Sequence, residues 1–191
     1  MTALKMKIAV FASGSGSNFA AIAEACRLGE LNAEIVLVIT NKPDAYVVER
    51  ARQANIRVVA FQSAAYKTKD TYEEAILAML HEAGAEWLVL AGYMRLVGEP
   101  LLSAYPSRIV NIHPSLLPSF PGIDAIGQAV AHGVKVTGVT VHLVDEGMDT
   151  GMILAQRAVN VVDGDVDKTA EAIHAVEHDL YKETLNSLFS R

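Results

Sequence analysis

The chain has 191 residues, 51% of them hydrophobic and 20% charged, the balance of a globular domain long enough to bury a core without disulfides or metal. Its formal net charge of −6 excludes long-range attraction to nucleic acid or anionic lipid. The single cysteine, Cys26, excludes a disulfide framework and a thiolate metal cluster.

Lys7–Ala12 (KIAVFA) is an apolar run closed by Gly and Ser, which predicts a buried strand and a turn. Phe19, Ile22, Ala23 and Cys26 then recur at helical spacing. Glu34–Ile39 predicts a second strand, Asn41–Asp44 a turn, and Val47, Val48 and Ala51 a helix before a strand at Arg57–Phe61. Asp70–Ala83 carries an apolar stripe, and Trp87–Ala91 and Arg108–Ile112 read as two further buried strands. After Asn111 the rhythm changes to a loop with Pro114, Pro118 and Pro121, then a short helix near Asp124–Ala131. Two β-rich runs, Val136–Val144 and Met152–Val162, precede a final helix from about Asp165. Strands alternating with helices predict a single α/β domain with a mostly parallel twisted sheet flanked by helices, and an antiparallel β-rich extension in the C-terminal half.

Lys5 and Lys7 precede only five apolar residues before Ser13, too few for a secretory core, and no run approaches the roughly 20 apolar residues of a membrane span. A cytoplasmic protein without membrane or nucleic-acid partners is expected, and the lone thiol fits a reducing compartment.

Three constellations stand out. Ser13–Asn18 (SGSGSN) lies between a strand and a helix, where glycines admit a ligand to the backbone and a helix start favours an anion. Phe19 replaces the third glycine of a dinucleotide fingerprint, and no lysine completes a P-loop. A single-phosphate seat and a serine-capped turn both fit. Asn111 and His113 fall on one side of a strand at its carboxyl end, and Pro114 stiffens the exit. In open parallel sheets that edge binds ligands, although a hydrogen-bonded structural histidine has the same pattern. Asp145–Gly151 (DEGMDTG) reads as a pocket-closing loop or as a solvated hairpin, with His142 nearby in an alternating strand. His174 and His178, four apart without an adjoining metalloprotease glutamate, read as helix surface or a partner contact, and no metal is expected.

Together these segments resemble the folate-dependent formyltransferases, and within them the branch acting on glycinamide ribonucleotide. The resemblance rests on IAVFASGSGSNFAAI at 8–22, NKPDA at 41–45, ERARQA at 49–54, LAGYMRLV at 90–97, RIVNIHPSLLPSFPG at 108–122 and TGVTVHLVDEGMDTG at 137–151. It implies a Rossmann-like formyltransferase fold over 1–191, with a phosphate-binding half to about residue 105 and a folate-binding, catalytic half beyond it. The chain length is expected to leave no room for the C-terminal barrel or N-terminal regulatory domain of related enzymes. By resemblance, Asn111, His113 and Asp149 are the catalytic trio. Gly16, Ser17, Asn18 and Glu177 take the ribonucleotide. Lys69, Met94, Arg95, Leu96, Val97 and Asn111 face the folate, which Asp145, Glu146, Gly147 and Met148 close over. The co-substrate implied is 10-formyltetrahydrofolate, and the molecule is expected as a monomer or homodimer. Ala172 and Lys182 depart from an arginine and a proline common in the family.

Formyl transfer builds a tetrahedral alkoxide, which calls for fixed donors such as the Asn111 amide and a protonated His113 beside Asp149. A formyl-folate hydrolase using water as acceptor, and a nucleotide-binding module without chemistry, are the alternatives. The first leaves the phosphate loop unused, and the second leaves the Asn-Ile-His segment and Asp149 unexplained.

Overall fold

The computed structural model describes residues 4–190. In β1 (Met6–Phe11), Ile8 and Val10 enter one core and Ala9 and Phe11 another, so both faces of the sheet have to be covered. The same logic holds for β2 (Ala33–Thr40), β4 (Trp87–Leu90) and β5 (Ile109–His113). β3 (Val58–Ala60) and β7 (Ile153–Asn160) form the edges, and β6 (Val136–Leu143) lies between β5 and β7, giving the order β3-β2-β1-β4-β5-β6-β7. Pairing is parallel from β3 to β5, then antiparallel at β5–β6 and β6–β7.

One face is covered by α1 (Ser17–Leu28), α2 (Tyr46–Gln53) and α6 (Val166–Phe189), through Phe19, Ile22, Val47, Ile173 and Tyr181. The other is covered by α3 (Lys69–Ala83) and α4 (Glu99–Ala104), through Tyr72, Ile76, Leu80 and Leu101. α5 (Ala125–Ala131) packs beside α6. The chain winds outward from β1 to β3, then returns to place β4 on the other side of β1. The loops leaving β1 and β4 therefore diverge and open a crevice at the carboxyl ends of the strands, the usual ligand position of such sheets.

The predicted strands are all present. The fifth runs one residue further than expected and includes His113. α4 and a 3-10 turn at Ser63–Ala65 were not foreseen, since six and three residues are too few to show a helical period. Pro100 lies in the first turn of α4, and the Gly98 N–H at its start donates to both Glu73 carboxylate oxygens at 2.8 and 3.0 Å. α6 runs unbroken through Lys182, which pairs with Asp179 at 3.6 Å. Cys26 is half-buried on α1, and burial pushes its thiol up to about 11. Among the described residues, no helix is long and apolar enough to cross a membrane.

Candidate active site

The loop after β1 is built to leave a helix start open. Gly16 takes a left-handed conformation at φ 74° and is the N-cap of α1, with no side-chain cap. The serine-capped turn therefore does not occur, and among the described residues the first-turn N–H groups carry no side-chain partner. A Cβ at Gly16 would lie 2.7 Å from Val47 Cγ2, so α2 packs directly on this turn. Arg50 Nε braces it by donating to the Ser15 carbonyl at 2.8 Å. Ser13 Oγ donates to Asn41 Oδ1 and accepts the Met94 N–H at 2.8 Å, tying together the loops after β1, β2 and β4.

The catalytic candidates meet where the sheet changes direction. Antiparallel pairing sets His142 on β6 opposite Asn111 on β5. His142 Nδ1 donates to the Leu143 carbonyl at 2.8 Å, which turns Nε2 toward Asn111 Nδ2 at 3.2 Å. With that tautomer the ring accepts one Asn111 N–H, and the second amide hydrogen is left for a ligand. His113 is buried, its Nε2 donating to the Phe120 carbonyl at 2.9 Å and its Nδ1 lying 3.5 Å from Asp149 Oδ2. Both ring nitrogens thus face acceptors, the Phe120 carbonyl and the Asp149 carboxylate.

Asp149 sits at φ 56°, accepts the Gly122 N–H on Oδ2 at 2.8 Å and places Oδ1 3.7 Å from His142 Nε2. Burial acts to raise its pKa. The Gly122 N–H and the charge of His113 are among the contacts that outweigh that and hold the carboxyl below its usual range. Phe120 and Asp124 share this left-handed conformation, so three uncommon backbone angles cluster around the trio.

A cavity of about 550 Å³ opens over this cluster. It brings together Asn111, His113 and Asp149, the Met94–Val97 stretch, and Asp145, Gly147 and Met148. Asn18 and Glu177 form its far wall, with Asn18 Nδ2 donating to Glu177 Oε2 at 3.3 Å. Arg95 is fixed at the cavity by its hydrogen bond to Ser63 at 3.1 Å and by stacking over the Tyr72 ring at 4.8 Å. Gly16 and Ser17 stand behind Asn18 at the helix start, and neither they nor Glu146 line the cavity.

Lys69 does not line it either. Its Nζ lies 3.8 Å from Glu73 Oε1, drawn to the buried carboxylate that caps α4. The histidine pair of α6 divides: His174 lies at the helix surface, as expected, while His178 is half-buried. His174 lines the cavity and meets Glu177 at 2.7 Å, while His178 turns inward with Nε2 buried and unpartnered. Burial pushes the His178 pKa down. His142 and His174 are the residues that sequence reasoning left unassigned. The alternation of β6 and the three-residue spacing from His174 to Glu177 were the available signals.

An open helix start at one end of a switch-point crevice and an Asn–His–Asp cluster at the other match a known enzyme family. Residues 6–185 match the family described as Formyl transferase, and the chain belongs to it. Its relatives narrow the class. It is 50% identical over 183 residues to a phosphoribosylglycinamide formyltransferase of Bacillus subtilis, covering 95% of this chain and 94% of that protein. The crystal structure of the phosphoribosylglycinamide formyltransferase of Bacillus halodurans superposes with a TM-score of 0.94 at 52% identity, over 97% of this chain and 96% of that one. That of glycinamide ribonucleotide transformylase 1 from Geobacillus kaustophilus does so at 0.94 and 52%, over 97% and 99%.

Proposed function

We propose that this chain transfers the formyl group of 10-formyltetrahydrofolate to the amino group of glycinamide ribonucleotide, yielding formylglycinamide ribonucleotide and tetrahydrofolate in purine biosynthesis. The observation that carries the reading is the meeting of Asn111, His113 and Asp149 in one cavity that also reaches Asn18 and Glu177. The ribonucleotide phosphate takes the open start of α1, where N–H groups point outward and the helix dipole favours an anion. Glu177 accepts from the ribose hydroxyls. The folate lies between Met94–Val97 and Asp145–Asp149, and both substrates occupy one domain drawn from residues 1–105 and 106–191.

Attack of the neutral amine on the formyl carbon turns the formyl oxygen into an alkoxide. The free Asn111 N–H donates to it. As charge builds, the oxygen also takes the His113 Nε2–H now given to the Phe120 carbonyl, because an anionic acceptor outcompetes a neutral one. Asp149 stays ionised at neutral pH. Its part is to stabilise the His113 imidazolium and to receive, directly or through water, the proton leaving the amine. The alkoxide then collapses to the new formamide as the formyl carbon–N10 bond of the folate breaks, and N10 takes up that proton and leaves as tetrahydrofolate. The sole thiol, Cys26, fits work in the reducing cytoplasm.

Folate absorbance followed with and without glycinamide ribonucleotide tests this reading. Turnover that requires the ribonucleotide supports it. Formate release at the same rate without the amine would make the protein a hydrolase and overturn it.

A further inference from the structure

α6 presents two cavity residues one turn apart. His174 Nδ1 lies 2.7 Å from Glu177 Oε2, and Asn18 Nδ2 donates to the same oxygen at 3.3 Å. The Glu177 side chain is 6% exposed and that of His174 52%, so a solvent-facing imidazole holds a buried carboxylate. Both donors converge on Oε2. Among the described residues Oε1 accepts no hydrogen bond, which makes it the oxygen offered to a ligand. Asn18 Oδ1, buried without a partner, marks the same wall as incompletely satisfied.

We infer that His174 is a positioning residue for the ribonucleotide: its imidazolium clamps Glu177, so that affinity for the ribonucleotide, rather than the rate of formyl transfer, follows the protonation of His174. The inference rests on the ribonucleotide reading of the Asn18–Glu177 wall. A charge-assisted hydrogen bond is roughly twice as strong as a neutral one, and it fixes the carboxylate plane before substrate arrives.

The groups around His174 act in opposite directions, with Glu177 favouring its charged form and burial opposing it. Glu177 and His178 face it on its own helix, α1 contributes the uncharged Asn18, and Asp124 at the start of α5 lines the same cavity. The hydrogen bond to Glu177 raises the His174 pKa more than burial lowers it, so the clamp persists above the ordinary imidazole range and loosens as pH rises through the raised value. His178 does not compete, because burial favours its neutral form.

The test is KM and kcat for glycinamide ribonucleotide at saturating formyl folate, from about pH 6 to about pH 9. Wild type is compared with His174→Gln and His174→Ala. Glutamine keeps an N–H donor near Glu177 but does not titrate, so the substrate's own phosphate and amine ionisations are common to both proteins. Over that range the wild-type KM should rise roughly 3- to 10-fold more than the His174→Gln KM. His174→Ala should raise KM at every pH, and kcat should follow one profile in all three. Superposable KM profiles for wild type and His174→Gln would overturn the inference, as would an effect confined to kcat. Absence of ribonucleotide-dependent turnover in wild type is a separate result: it overturns the functional reading, and the role of His174 with it.

Discussion

Asn111 can steady a developing alkoxide only if its amide is held still, and the hold comes from His142, itself fixed by the Leu143 carbonyl. His113→Ala and Asp149→Asn should each lower kcat by roughly 10²- to 10⁴-fold, while ribonucleotide and folate binding, measured by calorimetry, largely survive. Normal turnover by a well-folded His113→Ala protein would refute the mechanism. Asp149 also makes a pH prediction. Its folded pKa lies below the unfolded value, so its stabilisation is complete above about pH 4 and is lost as pH falls through the depressed folded value. Asp149→Asn should therefore flatten the acid limb of Tm against pH. At this scale the sequence was informative where a local rule sufficed: strand alternation and Pro114 marked Asn111 and His113. The place of His142 depends on the register between β5 and β6, which joins residues 31 apart and has no local signature. Lys69 stands outside the cavity lining for a similar reason, since the carboxylate beside it is Glu73, needed at the start of α4.

Among the elements, β6 does more than extend the sheet. Thr140 is fully buried and its hydroxyl donates to the Ser115 carbonyl while accepting the Leu117 N–H and the Gln156 amide. It thereby anchors the segment that brings the Phe120 carbonyl and the Gly122 N–H to the catalytic cluster. Thr140→Val keeps the shape but strands two donors, and should cost about 2–4 kcal/mol in chemical denaturation. Gly16 plays the matching part at the other end of the cavity. Gly16→Ala adds a left-handed alanine and a clash with Val47, and should cost about 2–4 kcal/mol while raising KM for the ribonucleotide. The long elements were legible because their apolar periods span several turns or pleats. α4 was not, because its identity comes from Pro100 and from a cap supplied by another helix.

For the molecule as a whole, the two halves of the chain share one sheet and one site. Trp87 on β4 meets Phe189 near the end of α6 edge-on at 5.6 Å, and the Tyr181 hydroxyl on α6 donates to the Leu90 and Val110 carbonyls of β4 and β5. Denaturation followed by Trp87 fluorescence and by far-ultraviolet circular dichroism should therefore give coincident transitions; separated midpoints would show halves that unfold independently. The net charge of −6 bears on this scale too. Both proposed substrates are anionic, so attraction is local, from the start of α1 and from Arg95.

Cys26 gives this chain a practical property. With its thiol pushed up to about 11, only about one molecule in ten thousand carries the thiolate near neutral pH. Reagents that require the thiolate should therefore react slowly with Cys26, which thiol titration of the folded protein checks. Cysteines introduced at Met94 and Met148, both exposed and both lining the cavity, could then carry a pair of fluorophores that reports the distance between them as each substrate enters.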